Sequence, residues 1–247
     1  MKQAERFYRN FTETPRWNSF RVRVETSDLY IRAHSDLSGP AERIIRKLRE
    51  EVRYHIERQS SFLYSFTPVE RLERCPEIIT LMYYASEKAG VGPMAAVAGA
   101  VAQLVGLELA QLSEEIIVEN GGDIWMKITK PAIAALYPGG YAFSAVAVKL
   151  RPEQTPCGIC TSSARIGPSF SYGKADAVTV ISPDAALSDA IATEACNRVK
   201  HEEDMAKAAS YAMGCGASGA VIIFRDRLVA LGAVELADPM RGEYNEI

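Results

Sequence analysis

Glu119 to Met126 reads ENGGDIWM, and the rest of the chain is organised around it. A short β-branched run, Ile116 to Glu119, leads in; Gly121 and Gly122 interrupt it, and an apolar run resumes at Ile124. The pattern predicts strand, tight passage, strand. Two glycines leave the backbone bare, so a ligand or a second chain segment can approach the peptide groups, with Asn120 and Asp123 presenting polar side chains beside them. The plainer alternative is a hairpin turn with a polar tip.

Working outward, the C-terminal half supplies two stretches for this turn to meet. Cys157 to Ser163 predicts a strand ending in small hydroxyl residues, and Ala177 to Ile181 a second strand. Ser182 has the chemistry of an N-cap with Pro183 at the first helical position, which predicts a helix from Pro183 to about Val199. On it, Asp189 and Thr193 are one turn apart on one face, and two hard oxygens suit magnesium. In the alternative reading Asp189 is solvated and Thr193 bonds back to a helix carbonyl. Glu202 to Met213 predicts a further helix, and Ala220 to Phe224 with Leu228 to Val234 a closing hairpin.

Towards the N-terminus, Phe20 to Val24 and Leu29 to Ala33 predict an opening hairpin, and Gly39 and Pro40 begin an amphipathic helix. A helix is expected at Glu77 to Ala89, then a small-residue helix from Pro93 to about Leu112, whose amides could hold a phosphate or which is simply a packed core helix. A break is expected at Tyr137 to Gly140 and a strand at Phe143 to Leu150. No linker divides the 247 residues, so one domain is expected, with a hairpin-and-helix portion at about 1–75.

Composition excludes some functions. Hydrophobic residues make up 48%, charged residues 24%, and the net charge is −3, which gives no footprint for nucleic acid. The start of the chain has no apolar signal core, and Gln103, Glu108 and Gln111 recur at helical spacing in the most apolar stretch. A cytoplasmic protein that does not enter the membrane is expected.

Five cysteines, Cys75, Cys157, Cys160, Cys196 and Cys215, make an odd count, and three scattered histidines do not complete a zinc site around Cys157 and Cys160. On a regular strand those two sulfurs face opposite ways. Cys160 is the candidate nucleophile or persulfide carrier if local amides or a cation lower its pKa, and a buried structural cysteine otherwise. A small-residue helix and exposed sheet edges make a homodimer a further expectation.

In order, NGGDI from Asn120, TSS from Thr161 and SDAIAT from Ser188 resemble motifs of the ApbE-like superfamily, best known for FAD:protein FMN transferases. VENGGDI from Val118, GICTSSA from Gly158 and GKADAVTV from Gly173 are similar to a cytoplasmic branch of it. The resemblance covers roughly residues 90 to 200. It implies an α+β fold of antiparallel sheets with packed helices, related to the T-fold. It also implies a flavin nucleotide site formed by Asn120, Gly121, Gly122, Asp123, Thr161, Ser162 and Ser163, with Mg2+ at Asp189 and Thr193. For the branch it implies sulfide assimilation, with a persulfide on Cys160; the alternatives are a magnesium-dependent flavin-nucleotide protein or FMN transferase, and a non-catalytic oligomeric module. The chain departs from the transferases where their KG lysine becomes Ala98 and where their HIIDP loop is missing, and from the branch at Ala164 and Pro168. These departures count against flavin transfer to a protein.

Overall fold

A computed structural model of the chain describes residues 16–136, 146–164 and 172–238. Pro168, the expected break at Tyr137 to Gly140 and the first residues of the strand expected at Phe143 lie outside them.

The described residues form an eight-stranded antiparallel sheet and a three-stranded sheet. The opening hairpin is β1 (Asn18–Val24) and β2 (Ser27–Ala33), followed by helix α1 (Ser38–Arg58) and the single turn α2 (Ser61–Tyr64). Helix α3 (Glu77–Ala89) ends at Gly90, which takes φ +65° and closes the helix in the left-handed conformation glycine tolerates. A 3₁₀ turn, Pro93–Ala96, then bends into α4 (Val97–Leu109), so the single helix expected from Pro93 to Leu112 is shorter and broken at its start. Among the described residues no single helix is long and apolar enough to cross a membrane.

The central hairpin is β3 (Ile116–Asn120) and β4 (Asp123–Lys127), with β5 (Ala132–Leu136), β6 (Val146–Leu150), β7 (Cys157–Ser162) and β8 (Ala177–Ser182) following. Helix α5 (Ala185–Arg198), α6 (Met205–Gly214) after a 3₁₀ turn at Glu202–Asp204, then β9 (Gly219–Phe224), β10 (Arg227–Gly232) and β11 (Glu235–Ala237) are the remaining described elements; the large sheet runs in the order β1-β2-β3-β4-β7-β8-β9-β10 and the small one β11-β6-β5.

The large sheet is covered on both faces. Ile116, Val118, Trp125, Cys160, Val178, Val180 and Ile222 point into a core shared with the helices. Their neighbours Ile117, Met126, Cys157, Ile159, Ile181 and Val221 point the other way, into a second core closed by β5 and β6. A strand dry on both faces cannot alternate apolar with polar, so β8 and β9 read as continuous apolar runs, AVTVIS and GAVIIF.

Three glycines bring helices to van der Waals distance of what they cover. A Cβ on Gly106 would lie 2.0 Å from the Trp125 ring, one on Gly99 2.2 Å from the Ala185 carbonyl oxygen, and one on Gly158 2.3 Å from the Ala185 Cα. Helix α4 therefore rests on β4 and on α5, and the start of α5 rests on the β7 backbone. This stack places the site.

Candidate functional site

Gly121 and Gly122 take φ +75° and +107°, the two positive values a two-residue hairpin loop demands, and Asn120 pairs directly with Asp123 across it. The stretch is thus a hairpin turn, as the plainer alternative held, and an open one. A Cβ on Gly122 would meet nothing nearer than the Thr161 carbonyl oxygen at 3.8 Å. The amide of Gly122 donates to Glu119 Oε1 at 2.9 Å, and Asn120 Nδ2 donates to the Ala98 carbonyl at 3.1 Å, tying the turn to the first turn of α4.

Asp123 pairs in register with Cys160, so the two side chains stand on the same face of the sheet, under α5. Asp123 is 9% exposed. From above, Asp189 reaches the N-terminus of α4, where Oδ2 accepts from the Gly99 amide at 2.8 Å and the carboxylate also accepts from the Ala98 amide. Burial pushes the Asp189 carboxyl well up, and the nearby Asp123 charge pushes it further, against the lowering pull of the two amides. Two amides in the first turn of α4, Ala98 and Gly99, are thus taken by Asp189, a carboxylate where the helix dipole favours one.

Cys160 lies between the two acids and is 0% exposed. Burial, then the charges of Asp123 and Asp189, push its thiol well above the ordinary range. Its Sγ donates to the Ala185 carbonyl at 3.3 Å. Of the two alternatives for Cys160, burial and the two nearby carboxylates favour the neutral, buried thiol over the activated one. Cys157 is on the opposite face, buried in the second core, with its thiol pushed up to about 12 by burial alone. Both cysteines are free, so the reading of their opposed directions on a strand holds.

Of the other expected residues, Thr161 points away from α5 and pairs its hydroxyl with that of Thr179 at 2.8 Å; what it turns towards the glycine loop is its carbonyl. Ser162 and Ser163 follow at the half-buried end of the strand, and Thr193 is half-buried one turn beyond Asp189. The helix that carries Asp189 starts later than expected. Ser182 stays in β8, where its hydroxyl contacts Ser188 at 2.9 Å, and Asp184 is the cap, its Oδ1 accepting from Leu187 N at 2.9 Å.

Two participants escaped the sequence reading. The nearness of Asp123 to Asp189 joins β4 to α5 and shows only once α5 is packed over the sheet. Gln103 was noted merely as polar in an apolar helix, although a buried amide of that kind has to find hydrogen-bond partners.

The site contains hard oxygen donors and no soft ones in an ionised form. Among the described residues no group of three or more His, Cys, Asp or Glu is arranged to hold a metal ion. A cation here would draw on Asp123, Asp189, hydroxyl or main-chain oxygens and water, a donor set that fits magnesium and not zinc.

The model of a protein family described as AbpE bacteria matches residues 9–215, and the chain belongs to that family. A UPF0280 protein of Methanocaldococcus jannaschii is 44% identical over 170 residues, 67% of this chain and 69% of that one. A UPF0280 protein of Archaeoglobus fulgidus is 33% identical over 214 residues, 84% and 88% of the two chains. Among solved structures, the flavin transferase ApbE from Vibrio cholerae, as its H257G mutant, superposes with a TM-score of 0.57 at 13% identity, covering 88% of this chain and 97% of that one. The flavinyl transferase ApbE of Pseudomonas stutzeri, in its apo form, gives a TM-score of 0.55 at 15% identity, covering 90% and 95%. The fold is that of the ApbE flavin transferases, a mixed α and antiparallel β structure, and the expectation for fold and superfamily is met.

Proposed function

We propose that this chain binds a flavin nucleotide together with a divalent cation, Mg2+ by its donor chemistry, where the Gly121–Gly122 turn, the end of β7 and the first turns of α4 and α5 come together. The observation that carries the reading is the convergence of Asp123 and Asp189 beside a glycine turn whose Cβ space is open. Two close carboxylates in a partly dry site repel each other, and a cation relieves that repulsion.

In this reading Asp189 is the principal cation ligand, with Thr193 and Asp123 contributing oxygen at the same edge. When bound, the cation supplies positive charge that neutralises the phosphates of the nucleotide. Gly121 and Gly122 let those phosphates approach the main chain, and Asn120 holds the turn against α4. Ser162 and Ser163 offer hydroxyls at the open end of β7. Cys160 fills the floor as a neutral thiol, which keeps water from between the two acids.

The likeness to flavin transferases at 13–15% identity supports the class of ligand and not the transfer step. Sulfur handling on Cys160 is not part of the proposal, because the thiol is buried and held protonated. Thermal unfolding with FAD, FMN or ADP, each with Mg2+ or with chelator, tests it. At a hundred times Kd a ligand stabilises by about 2.7 kcal/mol, which is readily seen. No shift with any of the three in the presence of Mg2+ would defeat the reading.

A further inference from the structure

Helices α4 and α5 close each other's N-termini. Gln103, in the second turn of α4 and 8% exposed, accepts through Oε1 from the amides of Ala185 at 2.7 Å and Ala186 at 3.2 Å, the first two of α5. Its Nε2 donates to Asp184 Oδ2 at 3.3 Å. Asp189, one turn into α5, returns the arrangement by accepting from Ala98 and Gly99 of α4. Gly99 packs on the Ala185 carbonyl and the Asp189 Cβ, so the two first turns lie side by side and run in opposite directions.

Helix α5 does not need Gln103 in order to form. Asp184 already caps it through Leu187 N, and the Ser188 amide reaches the Asp184 carbonyl at 2.9 Å. What Gln103 adds is a fixed position of that first turn against α4. We infer that Gln103 is a positioning residue for Asp189: it locks the start of α5 to α4 at one end of the overlap, and Asp189, four residues on in the same rigid helix, is thereby held over Asp123 and Cys160. Without the Gln103 carbonyl the Ala185 and Ala186 amides must find another acceptor, and the helix shifts off the glycine contact to let water reach them.

This rests on the reading of Asp189 as a cation ligand, and the test separates the two. Mn2+ alone is titrated by electron paramagnetic resonance into wild type, Gln103→Met and Asp189→Asn, and urea stability is measured for these and for the double variant. Wild type binds Mn2+, Asp189→Asn does not, and Gln103→Met, folded at the temperature used, binds roughly tenfold more weakly, the loss typical of groups that orient a metal ligand. In the stability cycle the two substitutions are non-additive, the second costing less once the first is present. Unchanged Mn2+ affinity in folded Gln103→Met, or additive stabilities, would overturn the inference. Failure of wild type to bind Mn2+ would defeat the cation reading instead, and the cycle would still decide the positioning role. If Gln103→Met does not fold, Gln103→Glu is titrated in its place: it keeps an acceptor for the two amides, so it should bind Mn2+ as wild type does, and a tenfold loss in it would overturn the inference.

Discussion

Replacing Gly99 by alanine probes the contact on which the site is built. In an ordinary helix interior, glycine to alanine stabilises by about 0.5–1 kcal/mol, because it removes backbone freedom from the unfolded chain. At Gly99 the new methyl would stand 2.2 Å from the Ala185 carbonyl oxygen and 2.8 Å from the Asp189 Cβ. Non-bonded carbon atoms sit comfortably at about 3.5–4 Å, so one helix has to move by roughly 1 Å, and the obstacle is backbone that no rotamer change can clear. Overpacking of this kind costs about 1–3 kcal/mol, here at the upper end, so the net expectation is a loss of about 2 kcal/mol. Gly214, the last residue of α6, with nothing within 4 Å of its Cβ position, is the control. Urea unfolding of both variants, with the slope of the transition unchanged, should place Gly214→Ala at or above wild type and Gly99→Ala below it. A Gly99→Ala protein as stable as Gly214→Ala would refute the close crossing of α4 and α5.

Glu115 accepts from Arg16 at 2.9 Å (Nε) and 2.5 Å, from Trp17 Nε1 at 2.9 Å and from the Thr129 amide at 2.6 Å, so Glu115→Gln should cost about 3 kcal/mol in urea unfolding at neutral pH. Burial alone would raise this carboxyl, but Arg16 and Thr129 hold it well below the usual carboxylate range. Its stabilisation is therefore full above the ordinary value of 4.5 and is lost progressively as pH falls below it, which acid titration of the variant against wild type checks. For Cys157 the sign is reversed: with the thiol moved from 9.0 to about 12, stability is full below pH 9 and falls as pH rises towards 12, and Cys157→Val should flatten that fall in unfolding curves at pH 8 to 10. Native protein treated with iodoacetamide should stay unmodified at Cys160 by peptide mass mapping and become modified there in denaturant; rapid labelling of the folded state would restore the sulfur-carrier reading.

Much of the fold was legible because local chemistry decided it. The α3 helix, Glu77–Ala89, follows from its apolar spacing and a glycine stop, and the β3–β4 hairpin from two glycines between β-branched runs. The second sheet was not legible as a sheet. Its first strand, Ala132–Leu136, is AIAAL, with neither branched nor aromatic residues in a recognisable period, and it is a strand because β6 pairs with it over the second core. Start positions were displaced where a tertiary partner competed with local signals: Ser182 looks like a cap but is spent on Ser188, which leaves that role to Asp184. At the site, one-turn spacing rightly put Asp189 on a helix face, but its partners come from other elements. The Ala98 and Gly99 amides and Asp123 reach it through an antiparallel helix crossing and a strand register that no linear pattern encodes. For Cys160 the sequence could pose the alternatives of reactive and structural thiol, but not the burial and the nearby carboxylates that bear on them.

The most direct measurement of the proposed function is calorimetric titration of FAD and FMN into the purified protein with Mg2+, with chelator, and with Asp189→Asn in place of wild type. The account predicts saturable binding of at least one flavin nucleotide that weakens sharply on chelation and on loss of the Asp189 carboxylate. Binding that is indifferent to both, or no binding in the presence of Mg2+, would contradict it.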